Sequence, residues 1–272
     1  MVSILGCGWL GMPLGKALIG SGKLVKGSTT KPHKLEEISR QSIVSFLIQL
    51  DDLSNEAELM EFLDNEILII NVPPGRNYIN ADDYPHKLAR LNTHINQSNI
   101  QKIIFVSSTS VYEENNDVVF EDSSISKNPS AQRLFLAEEV FRNNPNIQTT
   151  VIRMAGLIGP NRHPGRFFGG KTQIPDGLIP VNLIHLDDCI GIIEEVIKQD
   201  YWRQTIHAAA PSHPTKKEFY SLASAIYNNT KADFIEEKGK FKIINPDKLV
   251  NDLNYQFKHP DLMAWLLQSH QN

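Results

Sequence analysis

The chain has 272 residues, 41% of them hydrophobic, and a formal net charge of −4. That length suits one large domain, or a domain with a smaller lobe. The negative balance and the lack of any Lys/Arg-rich run argue against a nucleic-acid binder, and no apolar run approaches the roughly 20 residues that cross a bilayer.

Met1-Val2-Ser3-Ile4-Leu5 already reads as a strand, so no signal peptide is expected ahead of the fold. A helix is expected over 10–19, with Pro13 near its first turn, where a missing N–H does little harm. Strands follow at 23–27 and 43–50, the latter closed by Asp51-Asp52. The continuous apolar run at 67–72 suits a strand buried on both faces. A helix at 84–96, a strand at 102–107, a helix at 130–142 and a strand at 149–153 complete an alternation that calls for a parallel sheet flanked by helices.

Beyond Gly156 the pattern loosens, punctuated by Pro160, Pro164, Gly165, Gly169, Gly170, Pro175, Gly177 and Pro180. Helices are expected to return at 186–198 and 215–227, with short strands near 205–208 and 232–235. The expected division is a dinucleotide-binding domain over 1–158 and a smaller substrate lobe over 159–272, some of whose segments return to the main sheet. The two cysteines, Cys7 and Cys189, lie in apolar segments. A disulfide framework is therefore not expected, and a soluble cytoplasmic protein is. Cys7 reads as a small buried filler rather than a reactive thiol.

The most informative local pattern is Gly6-Cys7-Gly8-Trp9-Leu10-Gly11, which follows a strand and opens a helix. This is the context that the dinucleotide fingerprint requires. Gly6 permits a tight turn, Gly8 lets the backbone approach a pyrophosphate, and Gly11 lets the helix sit close to the sheet. The anion then rests at the helix N-terminus, with Trp9 and Leu10 beside it. An acid about 20 residues on commonly holds the ribose of NAD. Here the second strand ends in Gly27-Ser28-Thr29-Thr30-Lys31, with no acid before Glu36. Hydroxyls followed by a cation suit a 2′-phosphate, so NADP(H) is preferred over NAD(H), although Lys31 reads equally as a solvated surface residue.

With these stretches in order, the chain resembles the short-chain dehydrogenase/reductase superfamily, in its extended branch of NAD-dependent epimerases and dehydratases acting on nucleotide-sugars. The resemblance rests on the glycine turn, IINVPPG at 69–75, SSTSVY at 107–112, IRMAGLIGP at 152–160, NLIHLDDC at 182–189 and the closing INPDKLVNDLNYQF. It implies a Rossmann-type doubly wound parallel sheet with a small C-terminal α/β substrate lobe. It also implies that Asp51 contacts adenine, and that Asn71, Val72 and Pro73 lie beside the cofactor's ribose and phosphates. Ser107 is expected next to the cofactor, and Ser108 matches the catalytic Ser or Thr that hydrogen-bonds the substrate oxygen. Leu5 stands where that branch usually has a further glycine. His185, Asp187 and Asp188 match a motif that orders the fold.

One departure concerns the chemistry. That branch carries a Tyr-x-x-x-Lys pair followed by a Glu. Aligned on Glu138, the pair's places are taken by Ser130 and Leu134. A phenol can be drawn toward neutral pKa by an adjacent ammonium, whereas serine is a far weaker acid and leucine carries no charge. The pattern resembles the atypical members of the superfamily. The search for other chemistry leads to residues 159–171, where Arg162, Arg166 and Lys171 offer anion-binding groups and His163 offers a group titrating near neutral pH. A solvated cationic loop is the competing reading. Nine histidines without metal-ligand spacing give no reason to expect a metal site.

Two functions remain open. One is an oxidoreductase or epimerase with an altered active site, taking a small anionic substrate such as a nucleotide-sugar, with Ser108 and His163 as its catalytic groups. The other is a non-catalytic NADP(H)-binding redox sensor. Self-association as a homodimer is compatible with either.

Overall fold

Short apolar runs become strands in this chain, and the stretches between them become helices. The computed structural model describes residues 1–74 and 84–269; Gly75, the last residue of the IINVPPG stretch, lies outside them. The elements open with β1 (Val2–Leu5), α1 (Gly11–Gly20), β2 (Val25–Thr29), α2 (Leu35–Ser39), β3 (Val44–Leu47), α3 (Glu56–Leu63) and β4 (Ile67–Ile70). Next come α4 (Tyr84–Ile95), β5 (Lys102–Ser108), β6 (Asp117–Val119), α5 (Pro129–Arg142), β7 (Gln148–Met154) and β8 (Gly156–Ile158). The chain continues through β9 (Leu183–His185), α6 (Leu186–Lys198), β10 (Thr205–Ala208), α7 (Lys216–Asn228), β11 (Lys242–Ile244), α8 (Asp247–Leu253) and α9 (Leu262–Ser269).

Seven strands form one parallel sheet in the order β10-β7-β5-β4-β1-β2-β3, flanked by helices. The chain starts at β1, steps outward to β2 and β3, then returns to β4 on the other side of β1. That reversal is the topological switch point of a doubly wound sheet, where ligands bind beyond the strands' carboxyl ends. Register keeps those ends level: Ile4 pairs with Gly27, and Leu5 with Ile70. β4 is apolar and buried at all four positions, as a central strand covered on both faces must be.

Contacts divide the chain into two compact units. The first holds Met1–Val111, Ile125–Arg153 and Ile193–Thr205; the second holds Tyr112–Ser124, Met154–Ile192 and Ile206–Asn272.

In the first unit, side-chain caps start two helices, α3, which sequence periodicity left undefined, and α5, which it anticipated. Asn55 accepts from Glu58 N at the start of α3, which lies in a stretch without a strong apolar period. Asn128 caps α5, with Pro129 in its first turn. The unit's interior also holds an ion pair. Glu138 of α5 and Arg153 of β7 have side chains 0% and 2% exposed, with Arg153 Nη2 2.6 Å from Glu138 Oε2. Arg153 Nε lies 3.1 and 3.2 Å from the two carboxylate oxygens, and Ser107 Oγ of β5 donates to Oε1 at 2.5 Å.

The second unit has two small parallel pairs, β6 with β11 and β8 with β9. Its core gathers Ile158, Phe219, Ala223, Leu262 and Leu266, with Trp265 at the edge. Thr215 and Glu218 form a capping box at the start of α7. Asp188 of α6 is fully buried and holds the segment before α9: its carboxylate accepts from Tyr255 OH at 3.0 Å, Lys258 N at 2.7 Å and His259 N at 3.0 Å. The strand expected at 232–235 is absent. An isolated bridge between Ile174 and Phe234 forms there instead: Ile174 N donates to Asp233 O at 3.0 Å and Ile235 N to Ile174 O at 2.9 Å, but the pairing does not continue into a ladder.

Removing one partner of a buried ion pair leaves the other charged and unpaired, at a cost of about 3–5 kcal/mol. Glu138→Ala is expected to lose about that much in urea denaturation, whereas the double variant Glu138→Leu/Arg153→Met should recover most of it. Equal loss in the single and double variants would show that packing, rather than charge, sets the penalty.

Candidate functional site

At the carboxyl ends of β1, β2 and β4 the first unit opens a cleft of about 830 Å³. Its floor is the turn after β1. Gly6 adopts φ +102°, and a Cβ there would fall 2.7 Å from the Asn71 carbonyl oxygen, so the turn needs glycine on both counts. Gly11 begins α1 so close beneath that a Cβ would lie 2.2 Å from Gly6 O. At Gly8 a Cβ would meet nothing within 4 Å, because this backbone faces open space.

The two strands beside β1 lock the turn in place. Gly6 N donates to Ser28 Oγ at 3.1 Å and Cys7 N to Ser28 O at 2.8 Å, both from β2. From the end of β4, Asn71 Nδ2 donates to Gly6 O at 3.1 Å. The N-cap of α1, Leu10, has no side-chain capping bond, and no acid lies in the first turn. The first turn thus brings no side-chain anion of its own to the positive end of the helix dipole. Cys7 points inward, where burial pushes its thiol up to about 12, the behaviour of a filler and not a nucleophile.

Most residues expected to hold a cofactor meet around this cleft. Gly6, Gly8 and Asn71 line it, as do Val72 and Pro73. So do Ser28, Thr29, Lys31 and Asp51. Ser28 Oγ accepts from Gly6 N, and Thr29 Oγ1 accepts from Lys31 N at 3.1 Å. A hydroxyl that accepts still has its hydrogen to donate. Asp51 forms an ion pair with Lys87 of α4 at 2.5 Å. Lys34 and Lys87 line the cleft as well, and Tyr84 forms part of its wall, its hydroxyl donating to Val72 O at 2.7 Å. Sequence reasoning missed these three: Lys87 and Tyr84 come from a helix distant in the chain, and Lys34 has no motif around it.

Other expected residues lie elsewhere. Trp9, Leu10 and Gly11 are not among the cleft's lining residues, and Leu10 and Gly11 are buried. Ser107 is not among the cleft's lining residues either. Its hydroxyl is turned inward onto Glu138 and the residue is buried, because the carboxylate needs a donor besides Arg153. Ser108, next along β5, is half-buried, and its Oγ accepts from Ser110 N at 3.1 Å.

The expected substrate contacts on the 159–171 stretch, Arg162, His163, Arg166 and Lys171, belong to the second unit. His163 Nδ1 accepts from Gly165 N at 3.1 Å and its ring stacks on Tyr227, centroids 5.0 Å apart. Burial lowers its pKa below the ordinary value, so the near-neutral titration read from sequence is displaced downward. Arg162 and Arg166 are exposed, Arg166 donating to Asn161 O at 2.9 Å. Lys171 lies over the Phe168 ring at 5.5 Å. Among the described residues, no helix is long and apolar enough to cross a membrane.

The chain is 34% identical over 274 residues to Protein YeeZ of Escherichia coli (strain K12), covering 98% of this chain and 99% of that protein. The chain belongs to the YeeZ family. Protein YeeZ of Escherichia coli O157:H7 matches it to the same extent. No family model matches the chain. Among solved structures, this YeeZ relative is similar to a short-chain dehydrogenase/reductase superfamily protein from Agrobacterium tumefaciens with bound NAD. The TM-score is 0.82 at 14% identity, covering 100% of this chain and 96% of the other. It is also similar to UDP-glucuronic acid 4-epimerase from Bacillus cereus, in complex with UDP-glucuronic acid and NAD. There the TM-score is 0.79 at 18% identity, with 99% and 98% covered. At these identities the likeness establishes a shared fold.

The two glycines should separate by experiment. Gly11→Ala is expected to lower stability by about 3 kcal/mol, the upper end for overpacking, while Gly8→Ala should melt within a degree or two of the parent. Thermal denaturation of both variants checks this, and equal melting would contradict the geometry of the turn.

Proposed function

We propose that this YeeZ-family protein binds a nicotinamide dinucleotide in the cleft of its first unit and acts as an oxidoreductase or epimerase with an altered proton-transfer site. The observation that carries the reading is the glycine turn at the switch point, open at Gly8 and followed by α1 without a side-chain cap. Similar solved structures hold NAD, and one of them also holds UDP-glucuronic acid, which supports a nucleotide-sugar or another small anionic substrate.

A nicotinamide dinucleotide supplies hydride exchange when bound. The chain's own groups do the rest. The turn from Gly6 to Gly8 and the start of α1 take the pyrophosphate. Ser28, Thr29 and Lys31, with Lys34 beside them, take the adenosine end, and two lysines with hydroxyl donors favour the 2′-phosphate of NADP(H). Ser108 orients the reacting oxygen of the substrate. His163 enters this reading through its Nε2, since Nδ1 is already bonded to Gly165. Arg162, Arg166 and Lys171 are its proposed anion contacts.

A second reading rests on α5, whose sequence PSAQRLFLAEEVFR contains neither tyrosine nor lysine. Without that acid the protein would bind cofactor and report its redox state to a partner rather than turn substrate over.

Calorimetry with NADPH and NADH tests the binding. NADPH is expected to bind tighter, with Lys31→Ala weakening it about tenfold, or 1.4 kcal/mol, and leaving NADH unchanged. Tighter NADH binding would reverse the cofactor preference, and no binding of either would sink the proposal. Turnover with a panel of UDP-sugars separates the two readings: the enzyme should lose activity in Ser108→Ala and His163→Ala at unchanged cofactor affinity. A sensor should show no turnover but distinct affinities for oxidised and reduced cofactor.

A further inference from the structure

Two histidines and an aspartate converge in the second unit although they are far apart in the chain. His185 ends β9, Asp187 lies in the first turn of α6, and His259 precedes α9. Their ligating atoms all lie within 4.8 Å of one another. Asp187 Oδ2 is 3.0 Å from His259 Nε2 and 3.3 Å from His185 Nδ1. The two imidazole rings are 4.0 Å apart at 64°.

The contact between His185 and Asp187 is the unusual one. His185 Nδ1 accepts from Asp187 N at 3.2 Å, so its ring hydrogen is on Nε2 and a lone pair occupies Nδ1. Asp187 Oδ2 stands 3.3 Å from the same nitrogen. A cation held there would take that nitrogen and the carboxylate oxygen as ligands, in place of the 3.2 Å backbone bond. Ligands around a tetrahedral ion with bonds of about 2.0–2.1 Å stand roughly 3.3 Å from one another, close to the two separations seen here.

We propose that His185, Asp187 and His259 form a binding site for a divalent transition-metal ion of the zinc class, completed by water. Two imidazoles with one carboxylate suit such ions better than magnesium or calcium, which prefer all-oxygen sets. The Asp187 side chain is 47% exposed and His259 21%, so the cluster is open to solvent. The site is also preorganised. Asp188 holds the backbone N–H groups of Lys258 and His259, which fixes the His259 main chain against α6 whether or not an ion is bound. This departs from the expectation of no metal site, which rested on short spacings that ligands on separate segments never display. It is also independent of the cofactor reading.

The test uses the tag-free full chain, stripped by a chelator and titrated with Co²⁺ and then Zn²⁺. One equivalent of Co²⁺ should give the visible absorption of a low-coordinate site and quench Trp265, whose ring lies 5.2 Å from His185. Zn²⁺ should displace the Co²⁺ and raise the melting temperature. His259→Gln and Asp187→Asn should each weaken Co²⁺ binding at least about tenfold, or 1.4 kcal/mol, with unchanged melting of the stripped protein. Two variants are used so that misfolding of one does not decide the matter. No absorption at saturating Co²⁺, or equal binding by parent and folded variant, would overturn the site.

Discussion

The buried carboxylate of Glu138 is the constraint around which the first unit is arranged. A charge with no solvent must be matched by donors, and this one draws them from two strands: Arg153 of β7 and Ser107 of β5. The price of that arrangement is steep if any donor is lost, because an ion left unpaired in the interior keeps its full desolvation penalty. The same bonds therefore hold α5 in one position against the sheet. They also explain why Ser107 faces inward and its neighbour Ser108 does not, since successive residues of a strand point to opposite faces.

The turn after β1 depends on the sheet in a similar way. Gly6 is held by Ser28 from one side and Asn71 from the other, so the ends of three strands settle a single backbone conformation. Its two tight glycines serve that packing. Gly8 serves no packing of its own, since its missing side chain leaves room only toward the open cleft. That asymmetry separates a glycine open to the cleft from glycines required by packing. In the second unit Asp188 plays the organising part, converting a buried carboxylate into an anchor for the segment from Tyr255 to His259.

Much of the fold was legible in the order of the residues. The all-apolar β4, the strand-turn-helix context of the glycine motif and the regular alternation were enough to imply a doubly wound parallel sheet, and α6 and β10 fall where periodicity places them. Less legible were short elements held by others. β6, β8, β9 and β11 have three residues each, too few to show a period, and form only because a partner strand lies beside them. At 232–235 the error ran the other way: the segment resembled a strand, but its backbone pairing stops at one bridge, Ile174 with Phe234.

The candidate site divides along the same line. Sequence alone determined the glycine turn and the hydroxyl-rich end of β2, because these are contiguous and their spacing carries the chemistry. It also determined that α5 lacks tyrosine and lysine. Only the tertiary structure decided that Lys34 and Lys87 line the cleft, that Ser107 belongs to an interior charge network, and that His163 is committed to Gly165 and Tyr227. The meeting of His185 and Asp187 with His259 was decided in the same way. The physical reason is common to all of these. A local motif is written by covalent spacing, whereas proximity between distant segments is set by packing and by the bonds that buried charges demand.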